Sequence, residues 1–154
     1  DTEVTVSEVF RILKPGGFFY SDADPNCFCF SELEKILQER TGVFDSSASL
    51  KTEVEAIKDV FSILAKQYNI SEETAVLAEY HDLSKGGMNP YKLAGLMDRI
   101  GFESISVELL WYLGQGQIMH EMSSEIASAI DDYLKSMIPL SRNLYKYFKI
   151  IARK

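Results

Sequence analysis

The sequence is poor in the residues that staple small or secreted domains. Its 154 residues include two cysteines, Cys27 and Cys29. One residue separates them, a spacing that rarely suits an intrachain disulfide and that cannot supply the four ligands of a structural zinc site. Cationic side chains are also scarce, with 16 Lys plus Arg against 23 Asp plus Glu and a formal charge of −7. Proteins that grip a phosphate backbone carry the opposite balance, which argues against nucleic acid as a partner. No apolar run approaches the roughly 20 residues of a membrane-spanning helix, and Asp1 to Glu8 is acidic where a signal peptide is basic. A cytoplasmic chain in a reducing compartment, without membrane association, is the expectation. The sequence also shows no catalytic triad, paired-carboxylate or metal-ligand signature.

What is present is ordinary for a globular protein: 46% hydrophobic and 25% charged residues. One domain over residues 1–154, or a domain fragment, is the default. The chain opens on Asp1 with no initiator methionine, which suits a mature product or a fragment.

Hydrophobic periodicity divides the chain into helices and a few strands. Thr5 followed by Glu8 fits a capping box, and Val6, Val9, Phe10 and Leu13 share one helix face. Pro15, Gly16 and Gly17 end that helix in a tight turn. From Gly17 to Ala23, Phe18 and Tyr20 alternate with Phe19, Ser21 and Ala23, predicting a strand covered on both faces. Asp22, Asp24, Pro25 and Asn26 follow as turn formers at its carboxyl end, where open α/β sheets place their ligands. A helix is predicted over 31–40, closing at Thr41 and Gly42, then a polar linker over 45–49. Leu50, Val54, Ile57, Phe61, Leu64 and Tyr68 define an amphipathic helix. Ser71 caps another running to about Leu83, and Ser84 to Asn89 is a loop. Pro90 to Ile100 is a helix ended by Gly101, and Phe102 to Tyr112 a long strand. Gln117 to Ile138 reads as one helix with Ile118, Met122, Ile126, Ile130, Leu134 and Met137 on one side. Tyr147 to Ala152 is a closing strand.

The segment from Glu8 to Asp22, a helix followed by Leu13-Lys14-Pro15-Gly16-Gly17 and an apolar strand, resembles the helix and fifth strand of class I S-adenosylmethionine-dependent methyltransferases. The helix before Gly101-Phe102 and the strand through Trp111 are similar to that family's last helix and sixth strand, and Phe148 to Ala152 to its seventh. The resemblance covers most of the chain but only the second half of a family domain. It implies an α/β, helix-rich fold with a partial Rossmann-like sheet, strands five to seven, in which the seventh runs antiparallel between the fifth and sixth. It also implies that residues 31–84 are a helical, lid-like insertion that shapes an acceptor pocket. S-adenosylmethionine is the implied cofactor. Its glycine-rich loop and the acidic residue that holds its ribose find no counterpart here, so the chain is expected to be inactive alone. A strand at Phe18 without its fourth-strand neighbour leaves an open apolar edge, so a second copy or a missing N-terminal half is the expected partner.

The resemblance places an acceptor, small or apolar rather than a nucleic acid, near Tyr20, Asp22, Asp24 and Asn26. Asp22 and Asp24 either orient and deprotonate a nucleophile or merely turn the chain. His81 beside Asp82 is a candidate base held by a carboxylate, against the plainer reading of a helix-surface pair. Trp111 is core or a pocket wall. Cys27 and Cys29 read as small residues near a loop rather than as metal ligands or reactive thiols, His120 as a packed or exposed helix residue rather than a ligand, and the methionines at 119, 122 and 137 as helix packing. The alternative function is a non-enzymatic helical interaction or oligomerisation module that keeps a methyltransferase-like remnant.

Overall fold

The computed structural model describes residues 1–39, 48–74 and 86–154. Helix α1 spans Thr2–Ile12 and starts earlier than the capping box suggests. The Asp1 carboxylate caps it, accepting the Glu3 N–H at 2.9 Å, while the Thr5 hydroxyl donates to the Asp1 carbonyl at 3.1 Å. Asp ranks above Thr as a cap and also brings a negative charge to the positive end of the helix. Val6 is buried, with Val9, Phe10 and Leu13 packed around it as the spacing predicts.

The helix ends in a turn over Lys14 to Gly17, closed by the Gly17 N–H donating to the Lys14 carbonyl at 2.8 Å. Gly16 sits at φ +78°, the left-handed position that follows proline in a type II turn. The Gly16 N–H donates to the Lys154 carbonyl at 2.7 Å and the Lys154 N–H to the Gly17 carbonyl at 2.9 Å. Strand β1, Phe18–Pro25, thus leaves the turn already registered against strand β3, Tyr145–Arg153.

Strand β2, Glu103–Tyr112, pairs with the other side of β3, so the sheet order is β1–β3–β2. Both pairings are antiparallel, and the two outer strands therefore run parallel to each other. Helix α4, Pro90–Ile100, packs on β2 and β3 and against α1. Its Pro90 start and left-handed Gly101 stop are those expected from sequence, and Asn89, read there as the end of a loop, caps it by accepting the Tyr91 and Lys92 N–H groups. Val6, Leu93 and Met97 from these helices meet Phe102, Leu109, Phe148, Ile150 and Ala152 in the principal core. Phe10 lies edge-on to Phe102 at 4.9 Å. The architecture is α/β, rich in helix, around a three-stranded sheet.

Two expectations about coverage change. β1 is covered on one face, since Phe18 and Tyr20 are 63% and 59% exposed. The reason is its edge position: α1 and α4 occupy one side of the sheet, while the helices on the other reach only the β2 and β3 portion. The predicted helix over 117–138 is two helices, α5 (Gln115–Glu121) and α6 (Ser124–Ser136). Ser123 breaks it by capping α6, its hydroxyl accepting the Ile126 N–H at 3.2 Å. Ile118, Ile130 and Leu134 still reach the core, but Met122 and Ile126 are left exposed. Lys135 of α6 bridges Glu108 of β2 at 3.0 Å and Asp131 at 2.9 Å, and Lys149 of β3 reaches Glu108 at 2.5 Å. The Lys149 and Lys135 ammonium groups hold the Glu108 carboxyl below the usual carboxylate range.

Helices α2 (Cys27–Glu39) and α3 (Ala48–Tyr68) build a satellite core from Cys29, Leu33 and Val54, joined by Leu50 and Leu113. Glu53 fastens α3 to the sheet, accepting the Gly114 N–H at 2.8 Å and pairing with Lys146 at 2.8 Å. These helices cap the end of the sheet where β1 and β2 finish. Ser71 accepts the Thr74 N–H at 3.1 Å, the cap the sequence suggests. The close of α2 at Thr41 and Gly42, most of the 45–49 linker, the helix beyond Thr74 and Ser84 lie outside the described residues. Among the described residues no helix is long and apolar enough to cross a membrane.

Asn26 joins these parts. Fully buried, it donates through Nδ2 to the carbonyls of Arg142 at 3.0 Å and Tyr145 at 2.8 Å, and its Oδ1 accepts the Phe28 N–H at 3.2 Å. Removing the amide strands buried carbonyls and uncaps α2, so Asn26→Ala is expected to cost about 2–4 kcal/mol in urea unfolding. Asn26→Asp, which aims a carboxylate at two carbonyl oxygens, is expected to cost at least as much; a neutral result for either refutes this role.

Candidate functional site

β1 is the strand that carries most of the candidate residues, and a β-bulge decides where they point. Ser21 pairs with Ile150 and Asp24 with Phe148, so Asp22 and Ala23 together oppose Lys149. Ala23 takes the extra residue at φ +57°. Strict alternation would align Asp24 with Tyr20 and Asp22. Instead the bulge returns Asp24 to the face of Phe19 and Ser21, beneath α1 and α4.

There Asp24 helps line a cavity of about 200 Å³ with Asp1, Thr2, Thr5, Ser21 and Phe19, floored by Val6, Met88 and Leu93. A second depression of about 390 Å³ adjoins it along α4, sharing Asp1, Thr2, Met88 and Leu93 and adding Lys92 and Arg99. The Ser21 hydroxyl donates to Asp24 Oδ2. Burial raises the Asp24 carboxyl above its ordinary value, the Ser21 bond opposes that rise, and the neighbouring Asp22 charge adds to it. Gly87 supports this wall at φ +74°, where a Cβ would stand 2.7 Å from the Pro25 carbonyl oxygen. The Met88 N–H in turn donates to that carbonyl at 2.8 Å, tying the approach to α4 to the end of β1.

The other candidates fall elsewhere. Tyr20 and Asp22 share the uncovered face, where the Tyr20 hydroxyl donates to Asp22 at 2.6 Å. That bond holds the Tyr20 hydroxyl above its ordinary value, so it remains protonated at neutral pH. Asn26 is a structural amide, with its side-chain donors and its oxygen engaged as described. Trp111 ends β2, on the far side of β3 from β1, and is 45% exposed at φ +56°. Its left-handed backbone breaks the alternation that would have made it core and buries Tyr112 in its place, whose hydroxyl donates to the Ala127 carbonyl at 3.2 Å. His81 and Asp82 lie outside the described residues. None of the described residues of the 31–84 insertion lines either cavity.

Cys29 is buried in the satellite core, and its thiol is pushed up to about 12 by that burial. Cys27, at the start of α2, is raised by burial as well. Neither is an activated nucleophile, and the described residues hold no cluster of His, Cys, Asp and Glu able to bind a metal ion.

The fit to S-adenosylmethionine is poor among the described residues. The closest approach to a glycine-rich loop, Gly114-Gln115-Gly116, opens a helix of seven residues. Its first amide already meets the Glu53 carboxylate, and Gln115 Oε1 accepts the Tyr112 N–H at 3.1 Å. The first amide a ligand would use is thus already taken by a carboxylate from α3.

No protein-family model matches the chain, and no curated protein matches it. The residues that sequence reasoning missed are Ser21, Thr2 and Thr5 around Asp24. Only the polar character of the α1 start signalled them, because nothing in the local sequence marks Ala23 as a bulge.

Because its folded value is raised, Asp24 binds its proton more tightly in the folded chain than in the unfolded one. Its contribution is therefore fully present below the ordinary carboxylate value and is lost as pH rises through the raised one. Asp24→Asn, which keeps an acceptor for Ser21, is expected to flatten the fall in urea midpoint as pH rises above the ordinary carboxylate value. An unchanged slope in the variant would count against this account.

Proposed function

We propose that the chain is the acceptor-side portion of a class I S-adenosylmethionine-dependent methyltransferase, with Asp24 facing the acceptor. The observation that carries this reading is the sheet. A strand that follows a helix and Leu-Lys-Pro-Gly-Gly stands at one edge, a second parallel strand stands at the other, and the last strand runs antiparallel between them. That is the order the family gives its fifth, seventh and sixth strands. The cavity at the carboxyl end of β1 supports the reading, since α/β sheets bind ligands at that end. The chain's own residues would bind and orient an acceptor, accept a proton at Asp24 Oδ1 or Oδ2, and exclude water through Phe19, Met88 and Leu93. Among the described residues none provides for the methyl donor, so in this reading the donor site belongs to other residues or another chain.

Titration of S-adenosylmethionine into the product of the whole reading frame containing residues 1–154 is expected to show saturable binding, whereas residues 1–154 alone take up none. Failure of the whole product to bind overturns the methyltransferase reading, and saturable binding by residues 1–154 alone overturns the division between donor and acceptor sides.

A second reading, a non-enzymatic assembly module, is favoured by the uncovered face of β1. Phe18 and Tyr20 are exposed side by side on an edge strand that, among the described residues, pairs on one side only. Sedimentation is expected to show self-association that weakens when Phe18 and Tyr20 are both replaced by Lys; a monomer at all concentrations removes this reading.

A further inference from the structure

Asp24 is a half-buried carboxylate that no ion pair neutralises among the described residues. Its hydrogen-bond partner is the Ser21 hydroxyl, and the charge that acts on it is the like charge of Asp22. A carboxylate drawn out of water in this way is costly unless a positive group joins it. The group sits in a wall rather than in packed core, so space for such a partner exists: the adjoining cavity holds about 200 Å³. The lining is divided. Asp1, Ser21, Thr2 and Thr5 contribute polar oxygens to it alongside Asp24, while Phe19, Val6 and Leu93 contribute carbon.

We propose that this cavity binds a small organic amine as its ammonium ion, the nitrogen on Asp24 and the hydroxyl oxygens, the carbon body against Phe19 and Leu93. At the packing density of protein interiors the space suits a molecule of roughly eight to ten non-hydrogen atoms. An acid is disfavoured by the carboxylate, and a neutral alcohol of the same shape leaves the charge unpaired. The inference deepens the acceptor half of the reading above and rests on it only for the role of the amine as methyl acceptor. The binding itself needs no methyl donor, so its failure is distinguishable from failure of the donor titration.

The test compares benzylamine with benzyl alcohol, which share shape and differ in charge, by titration calorimetry and by following the backbone amide signals of Ser21 and Asp24. The amine is expected to bind at least about tenfold more tightly than the alcohol, a difference in keeping with one charge-assisted hydrogen bond. It is expected to move both amide signals, and Asp24→Asn is expected to abolish the preference for amine over alcohol. Equal affinity for amine and alcohol in the unaltered protein overturns the proposal. So does a preference that survives in Asp24→Asn, or signal changes confined to residues away from β1. Failure of benzylamine, cyclohexylmethylamine and butylamine alike to bind the unaltered protein overturns it without recourse to any variant.

Discussion

The buried amide of Asn26 is the constraint on which the arrangement around β1 depends. Its two N–H groups hold the carbonyls of Arg142 and Tyr145, residues more than a hundred positions away, and its oxygen caps α2. Its backbone N–H donates to the Lys146 carbonyl at 2.9 Å. One residue therefore ends β1, starts α2 and fixes the entry of β3. An amide can do this because it offers donors and an acceptor at once; a hydroxyl lacks the second donor and a carboxylate lacks both. Around it Arg142 lies over the Phe28 ring at 4.0 Å, adding a cation–π contact to the same junction.

With that end fixed, the bulge at Ala23 has one outcome. It cannot relax along the strand, because the turn at Gly16 and Gly17 is bonded to Lys154 on one side and Asn26 is anchored on the other. The extra residue is stored as a left-handed alanine, a conformation that non-glycine residues seldom hold without support. The return is that two carboxylates two positions apart serve opposite faces of the sheet. Asp22 remains beside Tyr20 in water, whereas Asp24 is drawn under the helices.

Much of this fold was legible in the sequence, and the reasons are specific. The helix over Pro90–Ile100 carries its proline and its terminal glycine in local sequence, and the structure reproduces its bounds to the residue. The turn at Pro15 and Gly16 is equally local. Errors arose where one residue in a left-handed conformation shifted the phase of a strand. Ala23 and Trp111 both do so, and neither residue type announces it. The break at Ser123 was hidden because the apolar spacing on its two sides happens to stay in phase. The site was legible only in part: Asp24 lies in a cavity wall, Tyr20, Asp22 and Trp111 lie elsewhere, and Asn26 has a role that depends on partners far along the chain, which local patterns do not reveal.

The middle strand of the sheet is also made after both of its neighbours. β1 and β2 touch β3 and not each other, so neither can find its neighbour until Tyr145–Arg153 has been synthesised. Up to that moment β1 and β2 lack the strand that joins them. Nearly all the sheet's pairing is thus of long sequence separation, which slows folding and lengthens the interval in which the nascent chain needs protection. A ribosome that stalls before Tyr145 would release a polypeptide in which β1 and β2 stay unjoined, a substrate for chaperones and proteases rather than a smaller version of the protein.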